Sequence, residues 1–237
     1  MNVSVRKSDT DLLSADLLHL LESISTKKKI RQNTYLFQEG MDAEELYLIH
    51  SGLVQIGKLT SDGKELTLRM CKQNDIVGEL TLFTKDAKYM LSAMVLSDGE
   101  VSVINKGRLE KELIQNGALT FEFMKWINTH MRKIQSKIRD LLLNGKKGAL
   151  YSTLIRLTNS YGIKRSDGIL INIVLTNQEL AKFCAAARES INRMLNDLRK
   201  SGVISIEESG KIVVHQLDFL KQEIDCEHCP IEICNID

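Results

Sequence analysis

The spacing of apolar residues changes several times along the chain, and each change marks a different kind of element. Over residues 12–24 they fall at Leu13, Leu17, Leu18, Leu20, Leu21 and Ile24, the rhythm of a short amphipathic helix. From residue 30 to residue 104 the runs become short, as at 45–49, 53–56 and 66–70. Turn signals separate them: Gly40-Met41-Asp42, His50-Ser51-Gly52, Ser61-Asp62-Gly63-Lys64, Gln73-Asn74-Asp75 and Ser97-Asp98-Gly99. Short strands at that spacing predict an all-β sandwich or barrel.

A long helix is predicted next, from residue 119 to about residue 143. Its apolar positions are Met124, Ile127, Met131, Ile134, Ile138 and Leu141, at intervals of three, four, three, four and three. That is the seam of a coiled coil. A helix lying on its own barrel would show a wider stripe, so the narrow one predicts a homodimer. Asn144-Gly145-Lys146-Lys147-Gly148 breaks the helix and makes a hinge.

Beyond the hinge, residues 149–161 read as a helix that Gly162 stops, and residues 168–175 as a strand. Thr176-Asn177-Gln178-Glu179 has the form of a capping box, in which hydroxyl and carboxylate each satisfy a free amide. A first helix carries Leu180, Ala181, Phe183 and Cys184, and Ala185-Ala186-Ala187 makes a tight turn. A second helix buries Ile191, Met194, Leu195 and Leu198, which leaves Arg188, Glu189, Asn192, Arg193 and Arg199 outward. Residues 203–206 and 211–214 flank Glu207-Glu208-Ser209-Gly210 as a hairpin. Helix, turn, helix and wing together are the outline of a unit that places its second helix in the major groove of double-stranded DNA. There arginine can grip O6 and N7 of guanine, and glutamate can accept from N4 of cytosine.

Charge sharpens this picture. The 237 residues carry a formal net charge of only +1, which excludes binding by bulk charge, as in a histone. Between Lys182 and Lys200, however, five basic residues face two acidic ones. No run approaches the ~18 apolar residues of a membrane span, and the first 16 residues lack a signal-peptide core, so a cytoplasmic protein without a membrane partner is expected. No phosphate-binding glycine loop, nucleophile elbow or His-Glu metal motif appears, so an enzyme is not expected.

Three of the five cysteines crowd into the last twelve residues, as Cys226, Cys229 and Cys234. The C-x2-C-x4-C spacing suits thiolate ligation. An iron–sulfur cluster, a zinc knot, a dithiol switch and an inert tail all remain open on that spacing. Cys71 and Cys184 are expected to be buried and inert.

Several segments resemble the family of the cyclic-AMP receptor protein and the fumarate and nitrate reduction regulator. Phe37-Gln38-Glu39-Gly40, Leu46-Tyr47-Leu48-Ile49-His50-Ser51-Gly52 and Gly78-Glu79-Leu80-Thr81-Leu82-Phe83 match its sensor barrel. Arg188-Glu189-Ser190-Ile191-Asn192-Arg193 matches its recognition helix. The resemblance implies an α+β fold in four parts. These are a β-roll sensor domain like a cyclic-nucleotide-binding domain (1–116), a dimerisation helix (117–143), a winged helix-turn-helix (149–220) and a cluster-binding tail (221–237). It implies a transcription regulator, commonly an activator, with RNA polymerase as partner. It also makes Arg188, Glu189 and Arg193 the readers of a TGTGA half-site, with Ser190 and Asn192 beside them.

Two departures from the family stand out. Ala185 and Ala187 replace the usual turn glycine and capping serine. Where members that bind cyclic AMP carry an arginine and a serine, this chain has Tyr89 and Met90, so no cyclic nucleotide site is expected. The tail resembles the Bacillus-type anaerobic regulators. That implies one oxygen-labile 4Fe–4S cluster per subunit, held by Cys226, Cys229, Cys234 and Asp140. Asp140 lies off the seam, where it is free to reach a neighbouring domain. The competing readings are a surface pair with Lys137 or Arg139, and His228 as the fourth ligand.

Overall fold

Alternation of side chains across a strand explains why the β region is apolar on both faces. In the computed structural model, which describes residues 13–59, 65–227 and 229–236, Leu46 and Leu48 of one strand point into one core while Tyr47 and Ile49 point into another. The strands are β1 (Ser25–Ile30), β2 (Tyr35–Phe37), β3 (Glu45–Leu59), β4 (Glu65–Cys71), β5 (Ile76–Val77) and β6 (Ser92–Asn105). They form one sheet in the order β1-β6-β3-β4, with β2 also on β6 and β5 on β3. Helices α1 (Ala15–Ser23) and α2 (Lys106–Gln115) bury Leu17, Leu21, Leu109 and Leu113 on one side of it. Leu12, where the first helix was expected to begin, His228 and the Ser61-Asp62-Gly63-Lys64 turn lie outside the described residues.

Two expected turns are not turns. His50-Ser51-Gly52 lies inside β3 and Ser97-Asp98-Gly99 inside β6, where the pairing shifts register between Ile49, Ser51 and Leu53. The two bulges face each other. A Cβ on Gly99 would sit 2.0 Å from the Ser51 carbonyl oxygen, so glycine here permits backbone contact rather than a reversal of the chain.

The described residues divide into two compact units, one of residues 13–59 and 67–129, the other of 65–66, 130–227 and 229–236. Helix α3 (Gly117–Tyr161) is continuous except at Gly145, whose φ of 58° and ψ of −160° belong to a region open to little but glycine. The expected hinge is thus a single residue. Along the seam Met124, Met131 and Ile138 are 62%, 38% and 45% exposed. Ile127 and Leu141 differ from the expectation, because each packs partly on the core of its own unit.

In the second unit the strand expected over 168–175 is shorter. β7 (Gly162–Arg165), β8 (Gly168–Ile171), β9 (Ile204–Ile206) and β10 (Ile212–Val214) form an antiparallel sheet in the order β7-β8-β10-β9. β8 ends at Ile171, opposite Gly162, the first residue of β7; one step further the Asn172 N–H donates to the carbonyl of Tyr161, the last residue of α3, at 2.8 Å. Gly162 both ends the helix and opens a strand. Helices α4 (Asn177–Phe183), α5 (Arg188–Lys200) and α6 (Leu217–Gln222) complete a core around Leu150, Leu154, Leu180, Ile191, Leu195 and Leu220. No helix among the described residues is long and apolar enough to cross a membrane.

Candidate functional site

The helix-turn-helix is built by local chemistry. At the start of α4, Thr176 Oγ1 accepts from the Glu179 N–H at 3.2 Å, and Glu179 Oε2 accepts from the Thr176 N–H at 2.6 Å. The turn places Ala185 at φ 46°, a left-handed conformation that explains the glycine common here in the family. Ala187 precedes α5 with no side-chain cap. Burial of Ile191, Leu195 and Leu198 anchors α5, worth about 1.5–3 kcal/mol for each side chain, and Met194 is half-buried. Arg188, Glu189, Asn192 and Arg193 are exposed and Ser190 is half-buried. The side chains of Arg188, Glu189 and Arg193 make no hydrogen bond or ion pair among the described residues. Asn192 Oδ1 accepts from Asn177 Nδ2 at 3.0 Å, a tie between the two helices.

The tail is stitched back onto helices of the same unit. Cys226 N–H donates to the Lys221 carbonyl just past α6, and the Pro230 carbonyl accepts from Ile233 and Cys234, each at 2.9 Å. Ile233 and Ile236 are buried. Asn159 Nδ2 donates to the Cys234 carbonyl at 2.6 Å, and the Ile236 N–H to Ser160 Oγ at 3.0 Å. This path brings Cys226, Cys229 and Cys234 to a cavity of ≈320 Å³ whose wall also contains Asp140, Arg139 and Arg156. Three thiols distant in sequence from Asp140 therefore share one space with it.

Asp140 is not a surface carboxylate. It is buried, with Oδ2 accepting from Arg156 Nη2 at 2.7 Å and from Ser152 Oγ at 2.6 Å, while Oδ1 accepts from Arg139 Nη2 at 2.9 Å. Burial by itself raises its pKa, but the bonds from Ser152 and Arg156 outweigh that and hold it below the ordinary carboxylate value. The pair with Arg139 exists, yet as one side of a larger network. Lys137 donates instead to the Ile236 carbonyl at 2.9 Å. Burial pushes the Cys234 thiol up, and the Arg156 charge opposes it.

Among the described residues no three His, Cys, Asp or Glu side chains converge as they would on one metal ion. The thiols and Asp140 are set around a cavity instead, and soft sulfur donors of this kind suit zinc or an iron–sulfur group. Arg156 and Ser152 were not anticipated. The available signal was an arginine four residues after a serine, amid the apolar positions Leu150, Leu154, Ile155 and Leu157.

In the barrel, Tyr89 is buried and stacked on Phe37, with ring centroids 3.8 Å apart, and its hydroxyl donates to the Glu45 carbonyl at 2.6 Å. Met90 is exposed. Glu79 is buried and paired with Arg69 at 3.1 Å. Cys71 is buried, as is Cys184, whose thiol burial pushes up to about 12.

Residues 27–116 match the cyclic nucleotide-binding domain model, and residues 173–204 match the model for bacterial regulatory proteins of the crp family. The chain is 78% identical over 235 residues to the anaerobic regulatory protein of Bacillus subtilis (strain 168), covering 99% of each. In fold it is similar to the c-di-GMP responsive global regulator CLP of Xanthomonas campestris (TM-score 0.74, 21% identity, 85% of this chain and 99% of that one). It is also similar to a CooA mutant of Carboxydothermus hydrogenoformans (TM-score 0.75, 18% identity, 92% of this chain and 97% of that one). With such identity over almost the full length of the Bacillus relative, the chain belongs to the crp family of bacterial transcription regulators.

Proposed function

We propose that this regulator responds to oxygen and binds a TGTGA-type palindrome as a homodimer, with a 4Fe–4S cluster in each subunit as its sensor. The observation that carries the reading is the single cavity walled by Cys226, Cys229, Cys234 and Asp140. When bound, the cluster supplies an oxygen-labile clasp between the tail and α3. Cys226, Cys229 and Cys234 would hold it by their thiolates and Asp140 by a carboxylate oxygen, a harder ligand that suits a labile site. The Bacillus subtilis relative is an anaerobic regulatory protein by name, which agrees with such a sensor.

The chain's own residues do the rest. Met124, Met131 and Ile138 recur every seven residues and stay exposed, so a second copy of α3 covers them. Ile127, Ile134 and Leu141 flank that stripe. Pairing brings two copies of α5 to successive major grooves, about 34–36 Å apart. Arg188 and Arg193 then donate to guanine and Glu189 accepts from cytosine, with Ser190 and Asn192 against the neighbouring backbone or base edges. Tyr89 fills the position where a cyclic phosphate would need a cation, so the barrel acts as scaffold.

Metal and sulfide analysis of protein prepared without oxygen tests the sensor. Iron and acid-labile sulfide, lost together from Cys229→Ala, are the expected result. Zinc at one per chain without sulfide would replace the reading with a structural knot.

A further inference from the structure

Asp140 is gripped by two arginines of unequal freedom. Arg156, 2% exposed, holds Oδ2. The same guanidinium donates to Ser136 Oγ at 2.8 Å, to Ser152 Oγ at 3.1 Å and to the Ile233 carbonyl at 3.0 Å. Its planar fork thus joins both segments of α3 and the tail at once, and it cannot leave without breaking every one of those bonds. Arg139 holds Oδ1 and has a side chain one-third exposed. Its other contacts are tail groups, the Glu227 carboxylate and Cys229 Sγ, the sulfur at 3.9 Å.

We infer that the two arginines divide their roles: Arg156 keeps Oδ2 in every state and aims the carboxylate, while Arg139 is a placeholder cation on Oδ1 and Cys229. The inference rests on the reading of Asp140 and the three cysteines as cluster ligands. An ionised carboxylate buried beside thiols needs a counter-charge, and stripping its buried partner leaves a bare charge. A partly exposed pair separates with little loss. On loading, the Oδ1 lone pair would pass from the Arg139 N–H groups to iron, and Arg139 would move into solvent still protonated, an exchange of partners at the carboxylate that is itself redox-neutral. Arg156 is a positioning residue, and Arg139 governs how readily the site fills.

The experiment compares full-length wild type, Arg139→Gln and Arg156→Gln, purified without oxygen and stripped of iron. Amide exchange across residues 229–236 is measured in the iron-free proteins, and equal amounts of ferrous and ferric iron with sulfide are then titrated in. Arg139→Gln is expected to keep wild-type protection of the tail and to half-load at about 2- to 5-fold lower iron. Arg156→Gln is expected to lose at least about tenfold of the protection at Cys234 and Ile236 and to take up less than half the iron. Where the glutamine variant does not fold, Arg156→Lys keeps the charge without the fork and is expected to show the same loss of protection. Loading of Arg139→Gln that needs more iron than wild type overturns the placeholder. A tail as protected in the Arg156 variants as in wild type overturns the anchor. Wild type that binds no iron and sulfide removes the cluster reading and the placeholder with it, while exchange in the iron-free Arg156 variants still judges the anchor.

Discussion

Two alanines decide how firmly the reading helix is mounted. Ala185 sits at φ 46° and Ala187 stands at the helix start without a hydroxyl to satisfy a free amide. An L-residue pays about 1–2 kcal/mol for the left-handed conformation, and a serine cap is worth about 1 kcal/mol. Ala185→Gly and Ala187→Ser should each raise the thermal midpoint, by about 2–4 °C for each kcal/mol in a chain of this size, as read by calorimetry. A fall in either would mean the turn is held by something other than its own backbone. Cysteine chemistry divides at the same scale. With its thiol pushed up to about 12 and no exposure, Cys184 should resist iodoacetamide in the native, iron-free protein while the partly exposed Cys226 and Cys229 react. Mass mapping of the alkylated peptides checks this, and native labelling of Cys184 would mean the DNA-binding core opens.

Among the elements, those set by local patterning were legible in the sequence and those set by a distant partner were not. The capping box at Thr176 and Glu179 and the turn at 185–187 depend on neighbours in sequence and appear as read, while the break read over 144–148 narrows to Gly145. Gly52 and Gly99 look like turn residues from their own surroundings. Only the pairing of β3 with β6 turns them into facing bulges. Likewise β8 stops at Ile171 because its partner β7 begins only at Gly162, where α3 ends, which no reading of 168–175 alone reveals. The exposed stripe of α3 yields a prediction of its own. Met131→Glu places a charge where two copies would meet, and sedimentation should show the dimer weakened at least tenfold, about 1.4 kcal/mol, with helix content unchanged. A dimer of undiminished strength would move the interface elsewhere.

At the scale of the whole molecule, a barrel that matches a cyclic nucleotide-binding domain carries Tyr89, stacked on Phe37, where the family resemblance would put a phosphate-binding arginine. A nucleotide bound at a hundred times its dissociation constant would stabilise the protein by about 2.7 kcal/mol. Cyclic AMP at millimolar concentration should therefore leave the thermal midpoint where it was, and a rise of several degrees would restore the barrel as a ligand sensor. The candidate site was half legible. Three thiols in a short tail announce themselves by spacing. The buried arginine that ties Asp140 to that tail depends on a fold that brings residues 136, 140, 152, 156 and 233 together across the chain. If the tail, clasped to α3, sets how the two reading helices meet DNA, then iron must govern the grip on the operator. The most direct measurement is the affinity for a TGTGA palindrome at fixed salt, without oxygen, for iron-loaded and iron-stripped forms of the same preparation. Binding at least about tenfold tighter with iron, and lost again on exposure to air, is the predicted result. Equal affinity in both forms would contradict it.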